Sequence, residues 1–205
     1  MPVYVRGKER ILHLHVPRTG GKSIRRMLKN SGWELEPAEG KKMNGSLSYQ
    51  HQLVSEWTTW GEFDLTFAVV RDPYARIESE ARRNGKLKSD FFMWVKKMIR
   101  SKMWKRNTHD GHFIPQHRYL NDEVSILRFE DGFKSVNNSL REKGIIQKYK
   151  RAVWAKDADI HTPNLQKEFE NSWLEPPAWE DDSKTLQEFN KIYDEDFRLA
   201  GYTKK

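Results

Sequence analysis

Two short stretches of this chain hold the residues best suited to gripping an anion. Residues 15–24 read His15, Val16, Pro17, Arg18, Thr19, Gly20, Gly21, Lys22, Ser23 and Ile24. Backbone N–H groups at the start of a helix have no carbonyl in a preceding turn. They converge on one spot, which the helix dipole makes favourable for negative charge. The paired glycines let the main chain approach a phosphate closely. Arg18 and Lys22 add cations, Thr19 and Ser23 add hydroxyls, and each charge-assisted bond contributes about 1.5–3 kcal/mol. The plainer alternative is a glycine turn that merely joins a strand to a helix. A triphosphatase loop also ends in Gly-Lys-Ser, but it requires glycine at position 16, where this chain has Val16. The second stretch runs from Phe67 through Arg71, Asp72, Pro73 and Arg76 to Ser79. Arg71 ends an apolar run, where open α/β sheets bind ligands, and its planar guanidinium can fork onto a phosphate. Ser79 offers a hydroxyl one helix further on. The plainer alternative there is a capping arginine and a surface Arg76–Glu80 pair.

The elements that must position these residues are legible from periodicity. Residues 10–16 alternate as a strand and run into the glycine loop. A helix follows with Ile24, Met27 and Leu28 on one face. Residues 64–70 suit a buried strand, 74–83 a helix and 124–129 a third strand. Residues 90–105 are strongly amphipathic, with Phe91, Trp94, Val95, Met98 and Ile99 at helical spacing and basic residues opposite. That basic face is a candidate groove wall for an anionic acceptor, or simply a solvated face. Residues 133–143 predict a helix stopped by Gly144, and 186–199 a final helix before Gly201. Residues 152–182 predict loop with short helices. Strands alternating with helices imply an α/β fold with a mostly parallel central sheet, in one domain spanning 1–205.

Composition bounds the function. The 205 residues carry a formal charge of +8, with eight Trp, seven Tyr, ten Phe and no Cys. The aromatic content predicts a folded chain. The charge attracts anions without choosing among nucleic acid, membrane surface, glycan and phosphorylated nucleotide. Absence of cysteine excludes disulfides, thiolate metal sites and a cysteine nucleophile. The apolar run at 11–16 is too short for a membrane span or a signal peptide, which predicts a cytoplasmic protein.

Taken together, the two anion-gripping stretches resemble the sulfotransferase family, especially its carbohydrate-type, Golgi-like branch. The family's first loop reads like Pro-Lys-Thr-Gly-Gly-Thr-Ser, and Pro17 to Ser23 match it in order and placement. Its second motif reads like Arg-x-Pro-x-x-Arg-x-x-Ser, matched from Arg71 to Ser79. Weaker echoes lie at Pro115, Gln116, Tyr119 and Leu120, at residues 127–131, and at Tyr193 to Phe197 with Gly201 and Tyr202. The resemblance implies a P-loop-like three-layer fold, with helices flanking the sheet. It implies 3′-phosphoadenosine 5′-phosphosulfate (PAPS) as sulfonate donor, held by Pro17, Arg18, Thr19, Gly20, Gly21, Lys22, Ser23 and Ile24 at its 5′ end. Arg71 and Ser79 would hold its 3′ phosphate. The acceptor would be a hydroxyl or an amine, of a carbohydrate or another small hydroxylated or anionic molecule.

Two positions depart from the family pattern. Arg18 stands where lysine is usual and Lys22 where a small hydroxyl residue is usual, so either could assist the leaving group. Arginine can do so only by its charge, since it cannot give up a proton. Relatives often place a base between the first helix and the second motif, and His51 falls there, with Glu56 and Glu62 nearby. A neutral imidazole, with an ordinary pKa near 6.5, suits proton abstraction. His15 reads as packing. His109, His112 and His117 surround Asp110 but fit no metal signature, so no metal is expected. Gln116 and His117 are candidate contacts to substrate. Two rival functions remain on the sequence alone. A small kinase would need the glycine that Val16 replaces, and a basic nucleic-acid module would use exposed aromatics to stack bases. The family resemblance disfavours both.

Overall fold

The chain opens with a hairpin. Strands β1 (Val3–Arg6) and β2 (Glu9–His13) pair antiparallel, from Val3 opposite Leu12 to Arg6 opposite Glu9. The two-residue turn puts Gly7 at φ 61°, where a tight hairpin takes glycine without a steric cost. The strand read from residue 10 is β2, and β1 ahead of it is a second strand that the periodicity did not reveal. The computed structural model describes residues 1–36, 48–56, 61–86, 88–105, 108–146 and 176–205. Its five-stranded open sheet has the order β3-β1-β2-β4-β5, with β3 at Glu34–Leu35, β4 at Leu65–Val70 and β5 at Ser125–Arg128. β2 pairs parallel with β4, and β4 with β5, whereas β1 is antiparallel to both its neighbours. The sheet is therefore mixed: parallel where the two motifs leave it, antiparallel at the β1 edge.

Six helices are described: α1 (Gly21–Asn30), α2 (Pro73–Arg83), α3 (Phe91–Arg100), α4 (Gly132–Glu142), α5 (Ser183–Ile192) and α6 (Asp194–Leu199). Asp72 caps α2 by accepting from the Ala75 N–H at 2.9 Å, and Pro73 occupies the first turn, where its missing N–H costs nothing. The helix expected over 90–105 stops at Arg100, and Lys102 then turns at φ 51°. The single helix expected over 186–199 is two helices, broken at Tyr193. The buried Tyr193 hydroxyl donates to the Phe113 carbonyl at 2.6 Å, and the break turns Asp196 toward residues 116 and 117. Of the stretch expected to be loop, 152–175 lies outside the described residues. Trp179 beyond it is fully buried and donates to Glu78 at 2.9 Å.

Alternation along the strands divides the core. Ile11, Phe67 and Val69 face α1 and α4, meeting Ile24, Met27, Leu28, Val136 and Leu140. Leu12, Leu14 and Ala68 face the other way, against Val54, Phe63, Leu120 and Val124, which belong to loops and short turns. Helices α2, α3, α5 and α6 gather around an aromatic cluster of their own, with Tyr74, Phe91, Trp179, Phe189 and Phe197 at its centre. Among the described residues, the only exposed large hydrophobics are Leu35 and Met93. The exposed aromatics that base stacking would need are thus absent from the described surface, and the rings serve the core instead. No described helix is long and apolar enough to cross a membrane.

The plainer alternative made Arg76 half of a surface pair, but the residue is wholly buried. Its guanidinium donates to the carbonyls of Pro17 (3.1 Å), His112 (2.9 Å) and Ile114 (2.8 Å). Removing it would strand three buried acceptors. Arg76→Ala is expected to destabilise the protein by about 3 kcal/mol or more, read as a fall in the urea midpoint. Arg76→Lys should recover only a minor part, because one ammonium cannot reproduce the planar fork.

Candidate active site

The loop between β2 and α1 is shaped by its own residues. Thr19 is fully buried, and its hydroxyl donates to the Val16 carbonyl at 2.8 Å. Gly20 turns left-handed at φ 85° and caps α1, its carbonyl accepting from the N–H groups of Ser23 (2.9 Å) and Ile24 (3.1 Å). Gly21 has a different reason to be glycine. A Cβ there would lie 1.9 Å from Nε2 of His15, so the imidazole packs directly on the glycine backbone. Arg18 is held at φ 71°, a left-handed conformation that costs a non-glycine residue about 1 kcal/mol or more. Lys22 is exposed on the first turn of α1, Ser23 is buried, and the Ile24 side chain lies in the core. The N–H groups of Ser23 and Ile24 are both bonded to Gly20, and Ile24 also turns its side chain into the core.

The second motif meets the first. Arg18 reaches Ser79 on α2 through Nε (3.2 Å) and Nη2 (2.8 Å to Oγ, 3.1 Å to the carbonyl), and its Nε lies 3.5 Å from Glu80. Arg71 donates to the Arg18 carbonyl at 3.4 Å and lays its guanidinium 4.5 Å over the Phe129 ring. Pro17 joins the same assembly through its carbonyl on Arg76. Gln116, expected near substrate, is buried and instead clasps the Arg71 backbone, accepting from its N–H (2.9 Å) and donating to its carbonyl (2.7 Å). The buried carboxylate of Asp196 in turn accepts from the N–H groups of Gln116 (2.7 Å) and His117 (2.9 Å), and holds the His117 ring at 2.9 Å. Residues from β2, β4, α2 and the loop at 116 and 117 are thereby fixed around the carboxyl edge of the parallel strands.

Beside this cradle stands a row of imidazoles. The ring of His13 stacks on that of His15 at 5.2 Å, His15 lies 4.8 Å from His51, and His51 meets His112 edge-on at 5.3 Å. His51 is buried, and its Nδ1 lies 2.7 Å from the carboxylate of Asp110. A carboxylate only accepts, so Nδ1 carries the proton, and in the neutral ring Nε2 is the nitrogen with the lone pair. Ser48 also donates to Asp110, through its N–H (2.6 Å) and hydroxyl (2.7 Å). Burial works to raise the Asp110 carboxyl, but these hydrogen bonds outweigh it and hold the group well below the usual carboxylate range. His112 makes a second such pair, its Nδ1 2.7 Å from Glu80. Burial again favours the neutral acid, and again the hydrogen bond and charge of His112, with Asn84 and Arg18, win and lower the Glu80 pKa. Burial pushes His112 below its ordinary value, against the pull of Glu80.

Of the histidines grouped by sequence, only His112 enters this row. The His109 ring packs on Phe113, and His117 turns to Asp196. Asp110, Glu80, Arg76 and Asp196 were named in the sequence reading but given no role at the site. For Asp110 a signal existed: His109, Asp110 and Gly111 all lie at positive φ (50°, 53° and 75°), and His-Asp-Gly is a run tolerant of that conformation. Arg76 sat inside the second motif and Glu80 one residue past its end, while Asp196 lay within the weaker echo from Tyr193 to Phe197.

Cations on a glycine loop, a second arginine from the neighbouring strand and a carboxylate-held imidazole beside them suit an enzyme that moves an anionic group. The chain belongs to the Sulfotransferase family, whose model matches residues 1–203, and it is accordingly a sulfotransferase. No curated protein and no solved structure matches it significantly.

His13 makes the site's surroundings sensitive to acid. It is buried against Phe67 at 4.8 Å, neither ring nitrogen has a hydrogen-bond partner, and burial lowers its pKa from 6.5 to about 3. The unfolded chain therefore binds a proton that the folded chain refuses. The contribution to stability is complete above pH 6.5 and is lost as pH falls from there toward 3. Burial drives His15 the same way. The loss attributable to His13 is roughly 2 kcal/mol between pH 7.5 and 5, a window that precedes titration of Glu80 and Asp110. Urea unfolding at both pH values should show His13→Phe flattening this dependence by that amount.

Proposed function

We propose that the protein transfers a sulfonate group from PAPS to a hydroxyl or amine of a carbohydrate or similar small acceptor. The observation that carries this reading is the meeting of Arg18, Ser79 and Arg71 at the carboxyl edge of the parallel strands, one residue row away from the His51–Asp110 pair. The loop from Pro17 to Ser23 would serve as a P-loop-like anion cradle; in support of this are the left-handed Gly20, the bare backbone of Gly21, the N–H groups at the head of α1 and the ammonium of Lys22 on its first turn. These groups would hold the 5′ phosphosulfate, and Arg71 with Ser79 the 3′ phosphate. PAPS supplies the activated sulfonate. The acceptor oxygen or nitrogen bonds to sulfur as the bond from sulfur to the bridging phosphate oxygen breaks. The chain's own part is proton and charge management. Nε2 of His51 takes the acceptor proton, while Asp110 fixes the ring and stabilises the imidazolium. Arg18 and Lys22 place positive charge beside the departing oxygen. Gln116 and Asp196 keep Arg71 in place rather than touching the acceptor. Val16 is buried against Leu53, Ile114 and Tyr119, a packing role unlike that of a triphosphatase glycine.

Calorimetry with adenosine 3′,5′-bisphosphate, beside ATP with magnesium, tests the donor half. The bisphosphate is expected to bind more tightly than ATP, with Arg71→Ala weakening it at least tenfold; tighter binding of ATP overturns the reading. His51→Gln separates the two halves. It is expected to leave bisphosphate affinity within about twofold and to lower turnover, measured by release of the bisphosphate, by about 100-fold or more.

A further inference from the structure

His51 lies far in sequence from Asp110 and His112, yet each of the three presents a ligating atom within 4.8 Å of the other two. Both imidazoles are buried and the carboxylate is half-buried, so the cluster opens to solvent on the Asp110 side. Two nitrogens and one carboxylate oxygen, with a position left for water, form a donor set that divalent zinc accepts and that hard magnesium does not favour.

The surroundings are organised as for a metal centre. Glu80 bonds Nδ1 of His112 at 2.7 Å, and Glu80 is itself held by the amide of Asn84 at 2.8 Å. A carboxylate on one ring nitrogen orients the other as a ligand, the usual second layer around a metal-binding histidine. Asp110 is likewise aimed, by the N–H and hydroxyl of Ser48 and by left-handed backbone at residues 109–111. The guanidinium of Arg18 lies 3.5 Å from Glu80, behind the ligands rather than among them. Bonds of about 2.0–2.1 Å to zinc put tetrahedral ligand atoms roughly 3.3 Å apart, so the widest separation must contract by about 1.5 Å on binding. His51 has room for this, since its ring meets that of His112 at 80° and 5.3 Å without a hydrogen bond between them.

We propose that His51 through Nδ1, Asp110, and His112 through Nε2 form a binding site for one divalent transition cation of the zinc type, which inhibits the enzyme because an ion on Nδ1 displaces the proton shared with Asp110 and leaves the ring proton on Nε2, the nitrogen that would take the acceptor proton. The inhibitory half rests on the role of His51 proposed above; the binding half does not. Titration of the metal-free protein with zinc chloride, by calorimetry, reads the binding half. One equivalent is expected at micromolar concentration, weakened at least tenfold by His112→Ala and by Asp110→Asn and within twofold of wild type in His117→Ala. Magnesium chloride should give no heat of binding. Circular dichroism spectra matching wild type establish that the variants are folded. Zinc that does not bind, or binds equally well to the His112 and Asp110 variants, overturns the proposal. Turnover at saturating zinc reads the other half and should fall at least tenfold, with recovery on adding chelator. Full turnover with zinc bound overturns the inhibition. A protein that binds zinc as described yet transfers no sulfonate without it would instead overturn the reading of His51 as base.

Discussion

The guanidinium of Arg76 has no exposed surface and bonds three carbonyls from two irregular segments, Pro17 of the glycine loop and His112 with Ile114 beyond the imidazole row. Neither segment has a ladder or a helix of its own at these points, so their backbone acceptors need a partner from elsewhere. Arginine supplies several donors in one plane, which is why a single side chain can join both. The loop that would hold the donor and the segment that carries Asp110 and His112 are thus set at a common distance from α2. A buried, charged group is costly unless its hydrogen bonds are made. That cost makes the arrangement specific, because any shift of either segment leaves the charge unsatisfied.

Around this tie the site is built from pairs in which one member positions and the other acts. Gln116 grips the backbone of Arg71, so the guanidinium leaves the strand in one direction and rests on Phe129. Asp110 fixes the tautomer of His51, and Glu80 does the same for His112 while also lying close to Arg18. The strained φ of Arg18 belongs to the same economy of placement: the left-handed turn lets its side chain reach Ser79 across the gap between loop and helix. Glu80 thereby touches both the cationic side of the site and the imidazole side.

The imidazole row introduces a tension between stability and chemistry. His13 contributes rings to a stacked column and buries two nitrogens without partners, an arrangement an apolar ring would satisfy better. His15 is tied to its place by the missing Cβ of Gly21, which no other residue could provide. Burial holds the pKa values of His13 and His15 below the ordinary imidazole value, so these two rings add no positive charge beside the loop near neutral pH.

Much of this was already present in the residues. The strand, glycine loop and helix at 10–28, the arginine at the end of 64–70 and the helix after it all follow from patterns of a few residues. Local geometry of that kind depends on φ, on side-chain period and on the N–H groups of a helix start, all set by nearby sequence. His51 could be suspected only through its place between two motifs. The N-terminal hairpin escaped because its strand is four residues long and its turn two, too short for period to speak. The partners were beyond reach for a different reason. His51 and Asp110 are 59 residues apart, Glu80 and His112 32, and Gln116 and Asp196 80. No local pattern encodes which distant carboxylate will meet which imidazole. Sequence by itself determined the glycine loop, the arginine at the strand end and the helices that follow them. Folding of the sheet, which brings the ends of β2, β4 and β5 to one edge, decided which groups stand beside it, since only the shared burial of distant segments can set those distances.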